Sequence, residues 1–76
     1  MNAIPQLLSL INTVLINRGK NTVTAISEDT QLRTDLGFDS LDLAELTVRI
    51  EAAFDVDIFE EGIVNTIGEI LEKISD

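Results

Sequence analysis

The chain has no cysteine and no histidine, and its only aromatic residues are three phenylalanines. Without thiols there are no disulfides. Without thiols and imidazoles there is no Cys/His zinc site, and no usual base to activate a serine, cysteine or threonine nucleophile. Most hydrolytic chemistry is thereby excluded. Positive charge is scarce as well: five Lys and Arg stand against fourteen Asp and Glu, a formal net charge of −9. Such a field repels nucleic acid and anionic lipid and attracts basic protein surfaces. Long apolar runs are also missing. The N-terminal stretch holding Ile4, Leu7, Leu8, Leu10 and Ile11 is interrupted by Pro5, Gln6, Ser9 and Asn12 and follows no basic segment. It therefore reads as neither a signal peptide nor a membrane span. A soluble cytoplasmic protein with no membrane insertion is the expectation.

What remains is a small chain, 76 residues with 45% hydrophobic content, enough for a single domain over residues 1–76 with a modest core. Over residues 3–17, Ile4, Leu7, Leu8, Ile11, Val14 and Leu15 recur at three- and four-residue steps and predict a first helix. Asn2 is its expected N-cap, Pro5 is tolerable in its first turn, and Gly19 is its expected stop. Residues 20–38 read as a long loop that Val23, Ile26, Leu32 and Leu36 tack onto the core.

A second helix is expected over residues 40–53, capped by Asp39, with Asp42 adding negative charge to its first turn. Leu43, Leu46, Ile50 and Phe54 would face the core, leaving Leu41, Ala44, Val48, Asp42, Glu45 and Glu51 on other faces. After a connector at residues 55–57, a short helical turn is expected over residues 58–62. A last helix then runs from a Thr66 cap through Ser75, with Ile67, Ile70, Leu71 and Ile74 inward. No segment alternates with a period of two. The expected architecture is all-α, a four-helix bundle with one short helix.

Charge is uneven along the chain. Residues 1–34 carry Arg18, Lys20 and Arg33 against Glu28 and Asp29, whereas residues 35–61 carry nine carboxylates and only Arg49. Self-repulsion in so small a chain lowers its stability, so added salt or divalent cations should raise the melting temperature. A thermal scan across ionic strength checks this, and a flat response would contradict it. No metal site is expected, because the Asp55, Asp57, Glu60, Glu61 cluster fails the calcium-loop spacing, with Phe59 at the third ligand position.

The densest signal is Asp35-Leu36-Gly37-Phe38-Asp39-Ser40-Leu41-Asp42, followed by Leu43-Ala44-Glu45-Leu46 and closing at Phe54. It delivers Ser40 to the start of the second helix, where unpaired N–H groups and the positive end of the dipole favour an anion. The run resembles the acyl carrier protein family, at motif level over residues 35–58 and in helix pattern over essentially the whole chain. The resemblance implies a free-standing carrier, not an enzyme, with 4′-phosphopantetheine from coenzyme A attached covalently to Ser40. It implies loading by a phosphopantetheinyl transferase using magnesium. It also implies docking on basic patches of acyl synthases and acyltransferases through Asp39, Leu41, Asp42, Ala44, Glu45, Val48 and Glu51, with the carrier acting as a monomer.

Three features depart from the fatty-acid carriers: Arg49 stands where they usually have a small residue, Ala52 and Ala53 replace acids, and Ile58-Phe59-Glu60-Glu61-Gly62 follows the connector. A fatty-acid-type or polyketide-type carrier is expected. A dedicated carrier for polyketide, lipopolysaccharide-modifying or aminoacyl chemistry stays open as an alternative, as does an unmodified acidic interaction module.

Overall fold

The computed structural model describes residues 3–60, 62 and 64–74. Among these residues are three helices, α1 (Ile4–Asn17), α2 (Ser40–Phe54) and α3 (Ile67–Ile74). Among the described residues there is no strand, only an isolated antiparallel bridge between Gln31 and Thr66. No helix among them is long and apolar enough to cross a membrane.

In α1 the apolar stripe buries Leu7, Ile11, Val14 and Leu15, and Pro5 sits in the first turn. The cap position is taken by Ala3, which makes no side-chain bond. That corrects the expected Asn2 cap by one residue, and Asn2 itself lies outside the described residues. The helix stops where expected. Gly19 takes a left-handed φ of 72°, its N–H donates to the Ile16 carbonyl at 3.1 Å, and the Lys20 N–H donates to the Leu15 carbonyl at 2.8 Å. This reversal satisfies the last carbonyls of the helix at a position only glycine takes without strain. It also aims the chain, and with it Arg18 and Lys20, toward the head of α2.

The segment from residue 20 to residue 38 is pinned at several points. Asn12 on α1 clamps Val23, donating from Nδ2 to its carbonyl at 2.9 Å and accepting its N–H at 2.8 Å. Leu32, Leu36 and Phe38 are buried. The same segment feeds the start of α3: the Thr30 carbonyl accepts the Ile67 N–H at 3.0 Å and the Glu28 carbonyl accepts the Gly68 N–H at 2.9 Å. Thr66 caps α3 as expected. Its Oγ1 accepts the Glu69 N–H at 3.2 Å, and Glu69 Oε1 accepts the Thr66 N–H at 3.0 Å, a reciprocal pair that satisfies donors at both ends of the turn. The expected last residue of the helix, Ser75, lies outside the described residues.

The short helical turn expected over residues 58–62 is not a helix among the described residues. The described part is a succession of turns whose hydrogen bonds step back three residues, from Glu60 N–H to Asp57 at 3.3 Å and from Gly62 N–H to Phe59 at 3.2 Å. Glu61 lies outside the described residues. A segment this short closes too few bonds to offset helix nucleation, and burial of Ile58 holds it in place instead. Among the described residues the bundle therefore shows three helices, and the expected fourth is not among them.

One apolar cluster joins these parts: Leu7, Ile11 and Val14 from α1, Leu46 and Ile50 from α2, Leu32 from the long segment, Ile58 and Val64 from the connector, and Ile67 and Ile70 from α3. Burying each such side chain contributes about 1.5–3 kcal/mol. Phe54 packs half-buried against its edge, and α2 ends there, one residue later than expected.

Candidate functional site at the head of the second helix

Residues 31–38 coil into a compact turn. The Gln31 carbonyl accepts the N–H groups of Asp35 and Leu36 at 3.0 and 3.2 Å, the Gln31 N–H donates to Asp35 Oδ2 at 2.8 Å, and the Phe38 N–H donates to the Leu32 carbonyl at 3.0 Å. Leu36 and Phe38 point into the core and fix the turn from below. Gly37 between them has a φ of 73°, a conformation that a side chain would strain. The backbone then extends at Asp39 and enters α2.

A reciprocal capping box locks this entry. Asp39 Oδ1 accepts the Asp42 N–H at 2.9 Å, and Asp42 Oδ2 accepts the Asp39 N–H at 2.9 Å. Asp42 is wholly buried. Its Oδ1 accepts Arg18 Nε at 2.8 Å, and its Oδ2 binds the Lys20 ammonium, which also reaches the Gly37 carbonyl at 2.8 Å. Burial pushes the Asp42 carboxyl up. The hydrogen bond from Lys20, the Asp39 N–H and Arg18 outweigh it and hold the group below its ordinary value. This corrects the placement of Asp42 among outward-facing acids. Its side chain is turned inward and consumed by the joint between α1 and α2, so it presents no charge to a partner.

Above this joint, Ser40 is the first residue of α2 and is exposed. Its hydroxyl makes no hydrogen bond, and neither its N–H nor that of Leu41 has a partner among the described residues. An available hydroxyl thus stands beside two unpaired backbone donors at the positive end of a helix. Ser40 also lines an open groove of about 460 Å³ with Leu43, Ala44 and Thr47 of α2, Arg33 before it, and Asp57 and Phe59 after it.

Along α2, Leu41, Ala44, Val48 and Glu51 follow at steps of three and four and form one exposed stripe, with Leu41 and Val48 each 64% exposed. Asp39 is exposed at its head. Glu45 is half-buried and engaged. It accepts Asn17 Nδ2 at 3.0 Å and Arg49 Nε at 3.0 Å, bonds that lower its carboxyl below the ordinary value. Arg49, the unusual cation of this helix, therefore neutralises part of the helix's own acidic face.

The structure thus brings Ser40, Asp39, Leu41, Ala44, Val48 and Glu51 to one accessible surface, ties up Glu45, and removes Asp42. Sequence reasoning missed the groove cation Arg33 and the roles of Arg18 and Lys20. The one available signal for the latter was that these are two of only three cations in the first 34 residues.

The model of the family described as the phosphopantetheine attachment site matches residues 6–74. No solved structure matches the chain at a significant level. Proteins of the matched family carry a covalently attached 4′-phosphopantetheine, are modified by phosphopantetheinyl transferases and interact with acyl-handling enzymes. The family match spans nearly the whole chain, α1 through α3, so the protein belongs to the phosphopantetheine attachment site family and is a carrier, not an enzyme.

Proposed function

We propose that Ser40 is the attachment residue and that residues 1–76 form one carrier domain that presents acyl intermediates to successive enzymes in the cytoplasm. The observation that carries this reading is the exposed, unbonded Ser40 hydroxyl beside the unpaired N–H groups of Ser40 and Leu41. In loading, the Ser40 oxygen would give up its proton to a base of the transferase and bond to the phosphorus that bears the pantetheine, while the pyrophosphate bond of coenzyme A breaks and adenosine 3′,5′-bisphosphate leaves. The helix-end donors suit the resulting phosphodiester oxygens. The bound group supplies a thiol that holds cargo as a thioester. The chain's own contribution is to anchor the anion, hold the helix end rigid through the capping box, and expose Asp39, Leu41, Ala44, Val48 and Glu51 to basic partner surfaces.

A second reading within the same class, a dedicated carrier for a specialised pathway, is favoured by the Arg49–Glu45 pair, which changes the charge pattern of the docking helix. Intact-protein mass after incubation with coenzyme A, magnesium and a broad-specificity phosphopantetheinyl transferase tests the proposal. One phosphopantetheine increment is expected. No increment, with a known carrier modified in parallel, would leave the acidic interaction module as the better explanation.

A further inference from the structure

Of the described cations, Arg18 and Lys20 are bound to Asp42, Arg49 is bound to Glu45, and Lys73 is also engaged. Arg33 alone makes no ion pair among the described residues. It is exposed, and it lines the same groove as Ser40. Asp57, the other charged residue of that groove, does not pair with it and instead accepts the Phe59 N–H at 3.0 Å. In a protein of charge −9, a cation with no carboxylate partner is an exception, and this one shares a groove with the residue proposed to become anionic.

We propose that Arg33 is a positioning residue for the prosthetic arm: its guanidinium pairs with the phosphodiester on Ser40 and turns the arm along the groove wall of Leu43, Thr47 and Phe59. The inference rests on Ser40 as the attachment residue. The chemistry is direct. A guanidinium presents two parallel N–H donors that match phosphate oxygens, whereas the backbone donors of Ser40 and Leu41 approach the same anion from the helix end. The two sets together fix the phosphodiester from two directions, which a single exposed cation does not do. Leu43, Phe59 and the methyl of Thr47, whose hydroxyl is occupied by the Leu43 carbonyl at 2.8 Å, then offer an apolar wall to whatever follows the phosphate. The pairing is solvent-exposed, so salt weakens it.

The test compares unmodified and loaded protein, with loading verified by intact mass, in wild type, Arg33→Gln and Arg33→Lys. In wild type, loading should shift the Arg33 Nε–H resonance in a nitrogen-15 spectrum, slow its exchange with water several-fold, and raise the melting temperature by roughly 2–4 °C at low salt. Arg33→Gln should lose most of that gain while its unmodified form melts with the unmodified wild type, and Arg33→Lys should keep about half, as expected for charge without the fork. A loaded wild type whose Arg33 Nε–H signal is unmoved would overturn the inference and leave the phosphate to the helix end alone, as would an equal gain in a folded Arg33→Gln. Absence of any mass increment would instead remove the attachment site, and Arg33's partner with it. The resonance measurement needs no variant, so it decides the matter even if a substitution disturbs the fold.

Discussion

Replacing Asp42 with alanine is expected to cost about 2–3 kcal/mol of folding stability and to lower the melting temperature by roughly 10–15 °C. The buried carboxylate is the acceptor for three groups at once: the Asp39 N–H, Arg18 and Lys20. Alanine leaves the Asp39 N–H without its partner, which forfeits half of the capping box, worth about 1 kcal/mol. It also releases both cations and leaves a void beneath the helix end. Arg18 and Lys20 are 35% and 34% exposed at their side chains and can turn to water. The loss therefore stays below the 3–5 kcal/mol typical of stranding a fully buried charge. Asparagine keeps the shape and one acceptor and should fall between alanine and wild type.

The same residue sets a pH dependence. Its carboxyl is held below the ordinary value in the fold because hydrogen bonding to Lys20, Asp39 and Arg18 overcomes the upward push of burial. The unfolded chain therefore takes up this proton first as pH falls. The stabilisation is complete above about pH 4 and is lost as pH drops through the folded value. Urea unfolding at pH 7, 5, 4 and 3 should show wild-type stability falling more steeply below pH 4 than that of Asp42→Asn. Parallel curves would mean that the carboxylate is not the anchor its geometry describes.

Replacing Ser40 with alanine is expected to abolish loading altogether while leaving the fold intact. Among the described residues no other group at the head of α2 offers an unbonded hydroxyl, and the deleted oxygen makes no hydrogen bond. Alanine is at least as good a helix former as serine, so stability should change by no more than about 0.5 kcal/mol. That combination separates a missing nucleophile from a damaged domain. Circular dichroism and thermal melting of Ser40→Ala should superimpose on those of the unmodified wild type, and intact mass after incubation with coenzyme A and transferase should show no increment. An increment of wild-type size on the variant would move the attachment elsewhere.

Much of this was legible in the sequence because it is local. The stripes of α1, α2 and α3 announce themselves by three- and four-residue spacing, and Asp39, Thr66 and Gly19 act within a turn of their own position. Contacts between distant segments were not legible. Asp42 looks like an acid in a solvated first turn. It is buried because the reversal at Gly19 brings Arg18 and Lys20, 24 and 22 residues away, beneath the helix end. The Asn12 clamp on Val23 spans 11 residues, and nothing in residue type predicts such a pairing. Arg33 was counted only as charge, since its place in the Ser40 groove depends on how the 31–38 turn folds against residues 57 and 59. The expected helical turn at residues 58–62 is instead a set of turns among the described residues, anchored by burial of Ile58, which its local sequence does not reveal.

Tryptic peptide mapping of the loaded wild-type protein tests the attachment most directly. The chain has four serines, and cleavage after its lysines and arginines puts each on a separate peptide: Ser9 in residues 1–18, Ser27 in 21–33, Ser40 in 34–49 and Ser75 in 74–76. The expected result is a single phosphopantetheine increment confined to the 34–49 peptide, with fragmentation placing it on Ser40. An increment on any other serine peptide, or none on the intact chain while a known carrier is modified in parallel, would contradict it.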